Sequence, residues 1–186
     1  MSIRIFVAVP VPLEVTRPLA EFAGEVGPGA GRIKWVDPGS MHLTLFFLGD
    51  VEEERVPAIG EALGRAAGEV APFTVRLDRV GAFPNLERPR VLWVGVSEGS
   101  GNLQDLKEAV DRVLEPLGFE PDRRTFHPHL TLGRIKAPGR RGAVAEAAAG
   151  WDVPSASWTV DRVVLYQSTL TREGAVYEEL EAPRLG

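Results

Sequence analysis

One tetrapeptide is written twice in this chain of 186 residues. Residues 42–45 read His-Leu-Thr-Leu, and residues 129–132 repeat the same four letters 87 positions later. Each copy follows a proline-containing turn and falls in a stretch whose residue types predict a strand. Successive side chains on a strand point to opposite faces. His42 and Thr44 therefore share one face, and Leu43 and Leu45 the other; His129, Thr131, Leu130 and Leu132 behave identically. Each copy needs a core for its leucines and an open surface for its imidazole and hydroxyl. A rough two-fold relation between the halves would bring both imidazoles and both hydroxyls to one cleft.

The rest of the chain alternates strand and helix signals. Strands are predicted over 4–11, 32–36, 41–48, 73–83, 90–96, 129–135, 157–167 and 175–182. Helices are predicted over 13–26, with Pro18 inside, and over 52–70, 102–117 and 140–149; Gly118 closes the third. Residues 27–31 read as a loop, and the Arg- and Gly-rich segment 134–142 as the most mobile one. No glycine-rich phosphate loop follows the first strand. This disfavours a dinucleotide fold and predicts α+β architecture with antiparallel sheets. The length suits one compact domain over 1–186, or two small lobes sharing a core.

Composition removes several classes of function. Cysteine is absent, which excludes disulfides, thiolate metal sites and cysteine nucleophiles. The net charge of −5 argues against broad, nonspecific nucleic-acid binding but leaves room for a local basic site. The N-terminal residues read as a strand rather than a signal peptide, and no run approaches the roughly 18 apolar residues of a membrane span. A cytoplasmic protein is expected, with no membrane association and no obligate protein partner.

Two histidines and two threonines around one cleft suit phosphodiester hydrolysis. The reaction needs a base for the attacking water and an acid for the leaving oxygen. An imidazole with a pKa of about 6.5 serves as either at neutral pH. Hydroxyls can bond the nonbridging oxygens, where negative charge must be held. The third histidine, His127, forms a His-x-His pair with His129 that could suggest a metal site. Asp122 is the nearest carboxylate, so His127 reads rather as a residue of the cleft rim or of a solvated face. Arg123, Arg124, Arg134, Lys136, Arg140 and Arg141 lie near the second motif, with Arg32 and Lys34 before the first; they could steer phosphates or form an ordinary charged surface. Phe6, Trp35, Phe47 and Phe83 are candidates to stack on a base, each with a core role as the alternative.

The framing of the two motifs carries a resemblance that spans nearly the whole chain. It comprises Arg4-Ile-Phe-Val-Ala-Val9, Trp35-Val36, Met41-His-Leu-Thr-Leu-Phe-Phe-Leu-Gly49, Val80-Gly-Ala-Phe-Pro84, Arg90-Val-Leu-Trp93, Phe126-His-Pro-His-Leu-Thr-Leu-Gly-Arg134, Leu165-Tyr-Gln-Ser168, Gly174 and Tyr177. In these pieces the chain resembles the 2H phosphoesterase superfamily, and within it the RNA 2′,3′-cyclic phosphodiesterases, historically called 2′-5′ RNA ligases. The resemblance implies a bilobal fold, two pseudo-symmetric lobes with antiparallel sheets facing a central cleft and helices outside. It implies an enzyme with no metal and no cofactor that opens terminal 2′,3′-cyclic phosphates of RNA to 2′-phosphates. Weak reverse 2′-5′ ligation would be a side activity. By position, His42 matches the proton donor to O3′ and His129 the proton acceptor from water. Thr44, Thr131 and Arg134 match the groups that hold the phosphate, with Phe6 and Trp35 the expected substrate contacts. The implied partners are RNA 3′ ends bearing a cyclic phosphate, tRNA fragments among them, or cyclic nucleotides. Glycine stands at 133 where the family more usually has alanine.

Overall fold

The structure is a computed structural model that describes residues 1–172 and 174–186. The chain opens with β1 (Ser2–Pro10), α1 (Leu13–Thr16), α2 (Phe22–Val26) and β2 (Gly31–Trp35). A continuous helix over 13–26 does not form: Arg17–Glu21 tightens into a 3₁₀ segment between α1 and α2. Pro18 lacks an N–H and its ring crowds the preceding turn. A second 3₁₀ turn, Pro38–Ser40, leads into the first motif. Asp37 Oδ1 accepts from the Gly39 N–H at 2.8 Å there and caps it.

β3 (His42–Glu52) and α3 (Val56–Gly68) follow, then the antiparallel pair β4 (Phe73–Phe83) and β5 (Val91–Glu98). Next come α4 (Ser100–Leu114), β6 (His129–Pro138) and α5 (Ala143–Gly150). The chain ends with β7 (Ser157–Val160), β8 (Val164–Leu170) and β9 (Ala175–Glu181). β3 runs four residues past the predicted strand, so α3 starts later than the predicted 52. The segment 134–142, expected to be a loop, continues β6 to Pro138 because β2 pairs with it. The strand predicted over 157–167 is two strands, divided at Asp161–Val163. β7 pairs with β4, whereas β8 pairs with β1.

The strands form one antiparallel sheet in the order β7-β4-β5-β6-β3-β1-β8-β9, with β2 also on β6. It consists of two wings. The only register pair between β3 and β6 among the described residues is Leu43 with Leu130. The two lobes implied by the family pattern are thus joined by hydrogen bonding at the motifs themselves. β2 then takes over the edge of β6 that β3 leaves.

One face of the sheet is the core. Leu43, Leu45, Leu130 and Leu132 are all buried. α3 contributes Ile59, Leu63, Ala66 and Ala67, and α4 contributes Leu103, Leu106, Val110 and Leu114, each set at helical spacing. Inside this layer Lys107 is 6 % exposed. Its ammonium pairs with Asp111 one turn later and sits 5.4 Å from the Phe46 ring. Burial pushes the Asp111 carboxyl up against the opposing pull of Lys107.

Candidate active site

The Leu43–Leu130 pair fixes the geometry of the two motifs. In an antiparallel pair, the residue before one partner faces the residue after the other. His42 therefore stands across from Thr131, and Thr44 across from His129. All four lie on the face away from the core; burial alternates along both strands, with the leucines inside and the histidines and threonines partly open. The four side chains that the repeat singled out are brought together around the line where the wings meet.

Each imidazole is held the same way. His42 Nδ1 lies 2.9 Å from the Ser40 carbonyl oxygen, and His129 Nδ1 lies 2.6 Å from that of His127. A carbonyl can only accept, so Nδ1 carries the proton and donates. The neutral ring then has its lone pair on Nε2. Burial pushes both imidazoles below the ordinary 6.5, and the bond to the carbonyl partly offsets this. The His129 charge adds to the lowering of His42, while His127 and Arg134 add to that of His129.

Aromatic rings back both histidines, with different character. Phe6 lies 4.8 Å from the His42 ring, Tyr177 meets it edge to face at 5.1 Å, and Tyr166 lies at 6.1 Å. Arg162 holds Glu179 in a two-point ion pair, and Glu179 is the register partner of Tyr166 on β9. Burial, aided by that carboxylate, pushes the Tyr166 phenol up to about 12. On the other wing, Phe83 meets His129 edge to face at 5.0 Å and Trp93 lies at 6.1 Å. Gly81 makes room for Trp93: a Cβ there would fall 2.2 Å from the indole.

Two β-bulges complete the face. On β6, Thr131 pairs with Trp93 and Gly133 with Leu92, so Leu132 is an extra residue. Arg134 then pairs with Val91, which shares a face with Trp93, and Arg134 joins His129 and Thr131. On β3, Thr44 pairs with Ala8 and Phe46 with Val7, so Leu45 is the extra residue. Phe47 pairs with Phe6 and turns onto the cleft face, where it is 74 % exposed. Arg134 also acts electrostatically on Tyr177, whose phenol burial raises and Arg134 pulls back down. Its field thus reaches the His42 wing.

Of the two expected aromatic substrate contacts, Trp35 lies away from the site and Phe6 lies buried beneath it. Trp35 pairs with Gly133 on the core face, packs edge to face on Phe22 at 6.2 Å, and borders a cavity of about 510 Å³ beside α2, away from both histidines. Strand alternation at β2 turns Lys34 rather than Trp35 to the cleft. The same packing accounts for Gly133, where a Cβ would meet Ile33 at 2.9 Å and Trp35 at 3.1 Å. Phe6 touches His42 but is only 3 % exposed, so it supports the imidazole and presents no face to a base. Among the other candidates, Arg124 is paired with Asp122, Arg140 with Glu146 and Arg141 with Glu87. The His127 side chain is exposed. Among the described residues, no three His, Asp or Glu side chains converge as a ligand set for a metal. No helix among them is long and apolar enough to cross a membrane.

Comparison with known proteins agrees with this geometry. A protein of Aeropyrum pernix named RNA 2′,3′-cyclic phosphodiesterase is 40 % identical over 149 residues, covering 80 % of this chain and 84 % of the relative. One of the same name from Archaeoglobus fulgidus is 37 % identical over 178 residues, 95 % of this chain and 97 % of its own. Among solved structures, a Thermus thermophilus protein superposes with a TM-score of 0.78 at 36 % identity, covering 98 % of this chain and 97 % of that one. E. coli LigT complexed with 3′-AMP gives a TM-score of 0.77 at 28 % identity over 100 % of this chain and 99 % of that one. The model of the 2′-5′ RNA ligase superfamily matches residues 14–172. With the doubled His-Leu-Thr-Leu set across one cleft and these likenesses along almost its full length, the chain belongs to the 2′-5′ RNA ligase superfamily, a group of 2H phosphoesterases.

Proposed function

We propose that this protein hydrolyses terminal 2′,3′-cyclic phosphates of RNA to 2′-phosphates, with paired-histidine acid–base catalysis and no metal in the step. The observation that carries the reading is the crossed arrangement of His42 with Thr131 and Thr44 with His129 around Leu43–Leu130. The names of the relatives support the substrate class. A cyclic phosphate seated over that line has one imidazole on each side and a hydroxyl beside each nonbridging oxygen. Nε2 of His129 takes a proton from water as the water oxygen attacks phosphorus. The P–O3′ bond breaks in line, and Nε2 of His42 protonates O3′. The products are a 2′-phosphomonoester and a free 3′-hydroxyl.

The two wings differ in a way that favours these roles over the reverse. Aromatic rings flank both imidazoles, so the difference lies in the fixed charges. His129 has Arg134 and His127 nearby, and their charge disfavours its protonated form. Arg134 and the two threonines hold the phosphate, and Phe47 offers an exposed ring on which the terminal base stacks.

The reading extends to the whole of 1–186 as one bilobal unit, acting on RNA ends such as tRNA fragments in the cytoplasm. With a 5′-hydroxyl in place of water, O5′ attacks phosphorus, the P–O3′ bond breaks and O3′ takes the proton, which gives the same site a weak 2′-5′ joining activity; the description of the superfamily favours it. The test is a defined oligonucleotide with a 2′,3′-cyclic phosphate, incubated in chelator and analysed for its end. Conversion to the 2′-phosphate supports the proposal. A 3′-phosphate product overturns the bond assignment. Turnover that vanishes in chelator and returns with Zn²⁺ or Mn²⁺ overturns the metal-free step.

A further inference from the structure

We infer that the cleft face of β2, with Lys34 beside Arg134 and Arg32 beyond it, is a track for the phosphates that precede the terminal nucleotide, so that the preferred substrate is an RNA strand rather than a free cyclic nucleotide. The inference rests on the phosphodiesterase reading above and names the substrate class of that site.

Lys34 and Arg134 are register partners. Side chains paired across two strands share a face, and like charges placed there repel. Such a pairing costs stability unless an anion lies over it. Both are exposed, whereas Ile33, Trp35 and Ile135 pack against the core on the other face. Arg32, two residues before Lys34, is also exposed; it continues the line about 7 Å further along the strand to the sheet edge, where it borders the cavity beside α2. Among the described residues none of the three has an ion-pair partner. Arg4, Arg65, Arg76, Arg112, Arg124, Arg140, Arg141, Arg162 and Arg184 each have a carboxylate; other cations lack one too, and what sets these three apart is that they share one face of paired strands beside the site. In a chain of net charge −5, uncompensated cations therefore stand in a row that begins at the phosphate-holding arginine.

The row also has a direction. On the far wing, the ladder beyond the His42 aromatics carries Glu179 opposite Tyr166, already bound to Arg162, and Arg4 is matched by Asp50. Among the described residues, those two arginines are therefore already neutralised. A strand whose last base lies on Phe47 therefore leaves the site over β6 and β2. Contacts of this kind follow the backbone and not the base, so the track confers preference for length and little for sequence.

The experiment compares adenosine 2′,3′-cyclic phosphate with a five-nucleotide oligoadenylate ending in a 2′,3′-cyclic phosphate. The wild-type protein is expected to show a kcat/KM at least about tenfold higher on the oligonucleotide, falling steeply with salt. In the Arg32→Gln/Lys34→Gln variant most of that advantage disappears, while mononucleotide turnover stays within about twofold. Binding of an oligonucleotide ending in a 2′-phosphate should lose about 1.4 from its log–log salt slope, roughly 0.7 for each phosphate contact removed. Equal losses on both substrates, or an oligonucleotide advantage that survives the double substitution, overturn the track. If the wild-type protein hydrolyses neither substrate, it is the phosphodiesterase reading that fails. The binding slope then decides the track alone, an unchanged slope overturning it.

Discussion

Phe47 and Arg134 occupy corresponding places in the two halves of the site. Each stands five residues after the histidine of its motif, and each is turned onto the cleft face by one extra residue in the strand, Leu45 or Leu132. The repeat is therefore symmetric in its histidines and threonines and divided at its rims: an aromatic face on one wing, a fixed cation on the other.

That division predicts separable losses. Phe47→Ala should raise KM for nucleotide substrates about 5- to 100-fold, the worth of one stacked base, with kcat changing little. Phe47→Trp should keep KM near the wild-type value. Steady-state kinetics on a cyclic-phosphate oligonucleotide check both, and a fall in kcat with unchanged KM would count against a stacking role.

His42→Ala and His129→Ala should each lower kcat by about 10²–10⁴. In the proposed mechanism the two groups act in one step, so the double variant should be little worse than either single one. Losses that multiply would mean that the imidazoles work independently.

The pH dependence follows from the directions of the shifts. In the proposed mechanism the productive form has His129 neutral and His42 protonated. Activity is lost as pH falls through the His129 pKa and as it rises through the His42 pKa. Both are lowered by burial, so kcat/KM should be bell-shaped with its maximum on the acid side of 6.5. Arg134→Gln removes a positive charge that lowers His129, so the acid limb should move to higher pH. A limb that stays in place, whatever the loss in rate, would show that Arg134 does not act on this base.

Lys107 and Asp111 predict an asymmetry in stability. Asp111→Ala leaves an ammonium buried without its carboxylate and should cost about 3–5 kcal/mol. Replacing both with apolar residues, Lys107→Met with Asp111→Leu, should come close to the wild type or exceed it. Denaturant unfolding of the three proteins measures this; a double variant as unstable as Asp111→Ala would show that the pair itself sustains the α4–β3 packing.

The residues of the repeat were legible because two letters in four had to face a core and two had to avoid it. What sequence reasoning missed came from non-local pairing. Arg134 itself was named through the family resemblance, but the bulge that turns it to the cleft was not: alternation counted from His129 places residue 134 on the core face, and only the partner strand β5 shows that Leu132 is skipped. The aromatic letters at 35 and 6 look like stacking platforms until the edge of β6 claims one and His42 covers the other. The split at Asp161–Val163 was hidden because both pieces are rich in strand-forming residues. Nothing local records that β7 and β8 belong to opposite wings.

Among the described residues, the lone ladder pair between Leu43 and Leu130 gives the molecule a seam that runs through its own candidate site. The seam is closed by packing: the buried leucines of both motifs belong to one core cluster, which α3 and α4 complete. The alignment of one imidazole–hydroxyl set with the other therefore depends on how well that core is filled.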